Sequence, residues 1–274
     1  MGACLGTVSQ ETGVAENQSQ AEIMEAWKLN YSSSVRGTLV KRKTSNIDDD
    51  YCILYEQFLG KGGCGVVHIG ESLANDQVYA IKICSKADND LSRLEREIML
   101  LKDVDHCNIV RLFSVYDSSV RIHLIMELCS GGHLGTLIQS REKFNYNQGR
   151  HLDEEWAKSL CRQLMSAVRH IHERGIAHRD IKLQNILIDK GANRDSQIKL
   201  IDFGYGSRFI GCCPMKTPCG TPYTTAPEVY RKSYDERCDV WSVGVVLFIM
   251  LCGKRPFQKI DIPGDLKDAG KAAM

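Results

Sequence analysis

The sequence predicts an α+β chain in two lobes, a small strand-rich one followed by a larger, mainly helical one, with a cleft between them. Two observations predict this order. Between Tyr51 and Leu128, strand-like runs are interrupted by a single stretch of helical spacing, whereas from Asp153 onward the long runs are helical. The 274 residues, 43% hydrophobic and 25% charged, suffice for one large domain or two small ones with a sizeable core.

Residues 1–50 are rich in Ser, Gln, Glu, Thr and Asn and poor in aromatics, which predicts disorder, with at most a short amphipathic segment over Ala21–Leu29 around Trp27. The basic triplet Lys41-Arg42-Lys43 and the acidic triplet Asp48-Asp49-Asp50 read as linker. The small lobe is expected over 51–128. Tyr51–Leu59 and Val66–Glu71 read as strands flanking a glycine-rich turn, and Val78–Cys84 as a third strand. Leu91–Val104 carries apolar residues at helical spacing, and Ile109–Tyr116 and Arg121–Leu128 complete the strands. The large lobe is expected over 129–274. Asp153 is the predicted N-cap of a helix running to about Glu173, where Arg174-Gly175 ends it. Ile186–Ile188 and Gln197–Ile201 form a strand pair, and Asp239–Leu251 is helical and mostly apolar.

Composition excludes several classes. With 35 basic and 34 acidic side chains the net charge is +1, so nothing in the whole chain argues for nucleic acid as a partner. The apolar run Val243–Cys252 is too short to span a bilayer, and the N-terminus lacks the pattern of a secretory signal. The 12 Cys are scattered without a C-x-x-C, which fits a reducing cytosol and predicts a cytoplasmic chain.

Five motifs carry chemistry. Gly60-Lys61-Gly62-Gly63-Cys64-Gly65-Val66-Val67 fits G-x-G-x-x-G-x-V between two strands; it is either a tight hairpin or a backbone cover for a phosphate chain. Lys82 lies on the next strand, among apolar residues, and either snorkels to solvent or grips phosphate oxygens, with Glu95 or Glu97 as the carboxylate that holds it. In His178-Arg179-Asp180-Ile181-Lys182-Leu183-Gln184-Asn185 one loop offers a carboxylate for a hydroxyl proton, an ammonium for a phosphoryl group and an amide oxygen for Mg²⁺. Asp202-Phe203-Gly204 adds a second hard oxygen ligand beside an apolar anchor, and Ala226-Pro227-Glu228 closes the segment that follows.

In this order the motifs resemble those of eukaryotic protein kinases, over about Tyr51 to Phe257. Gly220-Thr221-Pro222-Tyr223, the run Ser233–Ser242 and the run Leu251–Phe257 are similar to the calcium/calmodulin-dependent and calcium-dependent group. The resemblance implies a two-lobed kinase fold and an ATP- and Mg²⁺-dependent enzyme phosphorylating Ser or Thr of protein substrates, since Lys182 stands two residues after Asp180. It implies that Gly60, Gly62 and Gly65 cover the phosphates and that Leu59, Val67, Ala80 and Leu187 enclose the adenine. Met126 becomes the gatekeeper, with the Glu127 carbonyl and Cys129 backbone reading the adenine edge. Lys82 pairs the phosphates and is held by Glu97; Asp180 orients the acceptor hydroxyl, Lys182 stabilises the transferring charge, and Asn185 and Asp202 hold Mg²⁺. Thr217 is the expected phosphorylated switch, with Arg179 receiving its phosphate.

The sequence departs from that pattern in places. Cys64 stands where an aromatic is usual at the loop tip, predicting an exposed, oxidisable thiol. His133 and Gln184 replace acids that attract upstream Arg in a substrate, and Thr224-Thr225 make the acceptor pocket more polar. Only Gln258–Met274 follow Phe257, so the large lobe reads as incomplete, Glu228 as lacking its Arg partner and the helix at Asp239 as partly uncovered. The alternative function is therefore a catalytically weak or inactive truncated kinase acting as a nucleotide-binding scaffold. No D-x-[DN]-x-[DN]-G loop occurs, so no EF-hand is expected. The start Met1-Gly2-Ala3-Cys4 suggests acylation, with myristate on Gly2 and palmitate on Cys4 attaching the chain to a membrane.

Overall fold

The structure is a computed structural model and describes residues 40–140, 152–189, 195–211 and 213–257. Gly2, Cys4 and the segment around Trp27 lie outside these residues. The small lobe is built on a sheet with strand order β1-β5-β6-β4-β3-β2, made of β1 (Lys41–Lys43), β2 (Tyr51–Gly62), β3 (Gly65–Ser72), β4 (Val78–Ser85), β5 (Leu112–Asp117) and β6 (Arg121–Met126). All neighbours are antiparallel except β1, which runs parallel to β5 with Arg42 opposite Val115.

That first strand corrects the reading of residues 41–50 as disordered linker. The basic triplet forms an edge strand, and Lys43 Nζ donates to Asp50 Oδ2 and Tyr116 Oη, each at 2.8 Å. The acidic triplet enters a single 3₁₀ turn, Ile47–Asp49, capped by Asn46 and anchored by buried Ile47. Charge alone misleads here because a strand this short needs only a free sheet edge, not an apolar face.

Helix α1 (Leu91–Lys102) crosses the sheet. Its N-cap Asp90 accepts from the Ser92 and Arg93 amides, and Leu94, Glu97, Ile98, Leu100 and Leu101 are buried at helical spacing. The large lobe contains α2 (Leu134–Ser140), α3 (Glu154–His172), β7 (Ile176–Ala177), β8 (Ile186–Ile188), β9 (Ile198–Leu200), β10 (Ser207–Arg208), α4 (Pro227–Tyr230) and α5 (Arg237–Cys252). Asp153 caps α3 as expected, accepting from the Trp156 amide at 3.1 Å. Trp156, Leu160, Leu164, Val168 and Ile171 then form its buried stripe. Burying a side chain of this kind contributes about 1.5–3 kcal/mol, so tertiary packing rather than helix propensity holds α3 in place.

Helix α5 is apolar on nearly all sides. Val243, Val246, Ile249 and Met250 are buried, while Val240, Trp241, Phe248 and Leu251 are exposed, with Trp241 stacked on Phe257 at 5.4 Å. Among the described residues Glu228 has no ion-pair partner. No described helix is long and apolar enough to cross a membrane.

Candidate active site

The turn between β2 and β3 forms the roof of the cleft. Gly62 pairs with Gly65, leaving Gly63-Cys64 at the tip. Glycine is required at 65, because a Cβ there would lie 2.1 Å from the Ile83 carbonyl oxygen. This approach draws the tip down onto β4 and overturns the expectation for Cys64. Its side chain is buried and joins the core with Cys84 and Leu94. Burial pushes the Cys64 thiol up, away from the reactive thiolate.

Below the roof, Lys82 on β4 and Glu97 on α1 form a buried ion pair, Nζ to Oε1, at 2.6 Å. Burial alone would lower the Lys82 ammonium, but the charges of Glu97 and Asp202 prevail and its pKa is raised. Glu95 plays no part in this pair and faces outward to Arg42. Arg93, on the same side of α1 as Glu97, donates from Nε to the Gly204 carbonyl at 2.9 Å and covers the Tyr205 ring at 4.3 Å. The helix is thereby joined to the Asp202-Phe203-Gly204 motif. Phe203 is fully buried, with its ring 4.9 Å from that of His178.

The loop after β7 converges on one point. Asp180 is buried; its Oδ2 accepts from Lys182 Nζ at 2.8 Å and from Asn185 Nδ2 at 3.2 Å. Its Oδ1 accepts the Thr221 hydroxyl at 2.6 Å, and Lys182 Nζ reaches the same hydroxyl at 2.9 Å. Asn185 Nδ2 also donates to the Asp180 carbonyl at 2.9 Å, which directs its amide oxygen away from that loop. Burial opposes charge on Asp202, yet Lys82 and the Gly204 amide hold its carboxyl below the usual carboxylate range.

Underneath lies Asp239, an acid on the apolar helix α5 with no exposed surface. It accepts the His178 and Arg179 amides at 2.8 and 2.7 Å and pairs with His172 Nε2 at 2.9 Å. These bonds hold Arg179 at φ +65° while Asp202 sits at φ +66°, both in the left-handed region. Val67 on β3 stands opposite Lys82, Ala80 on β4 opposite Met126, and Leu187 on β8 opposite Lys199. Leu59 is exposed on β2, and Cys129 is buried after β6. The Glu127 amide donates to the Arg111 carbonyl at 3.0 Å, its Oε2 accepts from the Arg111 amide at 3.3 Å, and its Oε1 pairs with Lys199 at 2.7 Å.

The protein kinase domain profile matches residues 54–271. The chain belongs to the protein kinase family. It is 37% identical to calcium-dependent protein kinase 5 of Plasmodium berghei over 81% of this chain and 39% of that protein. Identity to a probable myosin light chain kinase of Dictyostelium discoideum is 38%, over 79% of this chain and 54% of that one. Mouse serine/threonine-protein kinase 33 is 36% identical over 74% of this chain and 42% of its own length. These relatives bear out the resemblance to the calcium-dependent kinase group, and the kinase domain here spans roughly a third to a half of their lengths. The two-lobed kinase fold is borne out as well.

Several side chains of this kinase were not singled out by sequence reasoning. Thr221 touches both Asp180 and Lys182, Asp239 carries the loop from below, and Tyr234 links the segment between Gly204 and Ala226 to Arg179. Gly220, at φ +101°, brings Thr221 there; a Cβ on it would lie 2.6 Å from the Arg179 carbonyl oxygen. The hydroxyls of Thr224 and Thr225, expected to make the acceptor pocket polar, both donate to the Thr221 carbonyl, at 3.2 and 2.7 Å. Gln184 accepts from the Tyr223 hydroxyl at 2.8 Å. A signal for Asp239 exists in the sequence: an acid within an otherwise apolar helix needs a buried partner.

Proposed function

We propose that this chain is an ATP- and Mg²⁺-dependent protein serine/threonine kinase, transferring the γ-phosphoryl group of ATP to Ser or Thr hydroxyls of protein substrates. One observation carries the reading. The Thr221 hydroxyl donates to Asp180 and lies beside Lys182, which is the environment an acceptor hydroxyl needs. With the substrate hydroxyl in place of Thr221, Asp180 aligns its lone pair and takes up its proton. Lys182 neutralises charge developing on the transferred group, and the Lys82–Glu97 pair steadies the phosphates.

The residues present suit a magnesium–nucleotide pair. Among the described residues no cluster of three or more His, Cys, Asp and Glu could bind a metal alone. Mg²⁺, however, commonly takes one or two protein oxygens and completes its shell with phosphates and water. Asp202, held charged, and the Asn185 amide oxygen would supply those two, while the metal supplies charge neutralisation at the phosphates. Gly60, Gly62 and Gly65 would lie over the phosphates. Leu59, Val67, Ala80 and Leu187 would enclose the base, with Met126 as gatekeeper and the Glu127 and Cys129 backbone at its edge. The test is transfer of labelled γ-phosphate to Ser, Thr and Tyr peptides. Phosphoserine or phosphothreonine is expected with Mg²⁺, and the signal is expected to vanish with EDTA and return with added Mg²⁺. No transfer, or transfer to Tyr alone, overturns the reading.

Regulation through Thr217 belongs to the same proposal. Thr217 is exposed, and its carbonyl accepts from Tyr234 Oη at 2.5 Å. Arg179 Nη1 donates to that same phenol at 3.0 Å, and its Nε to the Tyr205 carbonyl at 2.7 Å. Phosphate on Thr217 would offer Arg179 a charge-assisted partner in place of a neutral phenol. Phosphorylating the wild type is expected to raise turnover, and Thr217→Ala to lose that gain. Equal turnover of phosphorylated and unphosphorylated wild type would reject the switch.

A further inference from the structure

Arg42 on β1 makes the densest set of charge-assisted bonds in the small lobe, and it makes them to the helix that carries Glu97. Its Nη1 and Nη2 donate to Glu95 Oε2 and Oε1 at 2.8 and 2.6 Å, a two-pronged grip. Nε and Nη2 donate to Asp117 Oδ2 on β5 at 3.0 and 2.6 Å, and Lys86 at the end of β4 holds the other Asp117 oxygen at 2.6 Å. The guanidinium therefore joins the outer face of α1 to the rigid sheet.

Helical geometry gives this grip its meaning. At about 100° per residue, Arg93 and Glu97 share one face of α1, and Glu95 points about 200° away from Arg93. The inner face is held by few bonds, Lys82 to Glu97 Oε1 and Arg93 to the Gly204 carbonyl. Glu97 Oε2 is buried without a hydrogen-bond partner. Packing of Leu94, Ile98, Leu100 and Leu101 opposes rotation of α1 from inside, and the bonds on the opposite face add a second fixed point. β1 itself is registered on β5 through Lys41–Ser114 and Lys43–Tyr116 and tethered by Lys43 to Asp50, so Arg42 grips from a fixed strand.

We propose that Arg42 is a positioning residue for phosphoryl transfer: with Glu95 and Asp117 it clamps the outer face of α1 and fixes the rotation that keeps Glu97 on Lys82. Residues 41–43 are then a working part of the small lobe rather than a leader to it. The inference rests on the kinase reading above for its kinetic consequence, but not for its structural one. The bonds of Arg42, Glu95 and Asp117 reach neither Asp180 nor Lys82, so any effect on catalysis must travel through α1.

The full chain is compared as wild type, Arg42→Met, Glu95→Gln, the double variant and Arg42→Lys. Arg42→Met is expected to lower kcat/KM for ATP about fivefold, leaving KM for the peptide at saturating ATP and the melting temperature unchanged. Glu95→Gln should do the same and the double variant should be no worse than either, because both remove one coupling. Arg42→Lys, which keeps the charge but loses the two-pronged geometry, should recover only part of the rate. Amide exchange across Leu91–Lys102 is read in parallel and should quicken in Arg42→Met. Wild-type rates in Arg42→Met, or an additive double variant, overturn the kinetic role. Unchanged exchange overturns the clamp even if the wild type transfers no phosphate, an outcome that would refute the kinase reading separately.

Discussion

Asp180→Asn is expected to leave the fold and nucleotide binding intact and to reduce phosphoryl transfer by about 10²–10⁴-fold, the range a positioned general base contributes. Asn keeps the size of the side chain and one acceptor oxygen, so bonds from Lys182 and Asn185 partly survive. What is lost is the negative oxygen that receives the Thr221 hydroxyl and, in turnover, the substrate's. The measurement is single-turnover phosphorylation alongside titration with a fluorescent nucleotide. Undiminished turnover would remove Asp180 from the mechanism, and loss of nucleotide binding with turnover would show that the substitution damaged the site as a whole.

The largest effect on stability is expected at Asp239. In Asp239→Ala the amides of His178 and Arg179 lose their acceptor while buried, and His172 loses its partner. Each orphaned buried donor costs about 1–3 kcal/mol, so the two amides together cost roughly 2–6 kcal/mol. For a chain of this size a 1 kcal/mol loss lowers the melting temperature by about 2–4 °C, which places the expected fall near 10 °C. The same change should release Arg179 and displace Asp180, so activity falls even at temperatures where the chain remains folded. An unaltered melting curve would show that these amides find other acceptors.

How far the sequence foretells this arrangement depends on what kind of physics decides each residue. The strands and helices are legible because alternation and helical spacing are local properties; Tyr51–Gly62, Leu91–Lys102 and Glu154–His172 fall where the patterns put them. Choosing between Glu95 and Glu97 is not local. Both are acids on one helix, and only its seating on the sheet turns Glu97 inward; family resemblance selects it, and the 2.6 Å bond to Lys82 agrees. Cys64 is misread for a similar reason. A loop tip is ordinarily exposed, but the missing Cβ of Gly65 lets this one fold onto β4. Arg42 is hidden by its neighbours, since three consecutive basic residues read as a solvated charge run and a three-residue strand has no period to detect. Asp239 is the residue whose signal was present and unused.

The left-handed backbone at Arg179 and Asp202 sets a bound on how far this enzyme can be made more robust without being made slower. A residue with a Cβ is penalised in that conformation, less for Asp, which visits it more readily, and more for Arg. Glycine at either position would relax the chain, yet it would remove the carboxylate beside Lys82 at one and the guanidinium that reaches Tyr234 at the other. Here stability and activity trade against each other at the same two torsion angles. Substitutions selected for heat resistance alone will be drawn to these positions. Gains that preserve turnover must come from elsewhere, such as the exposed surface of α3, where no functional group is held by the strain.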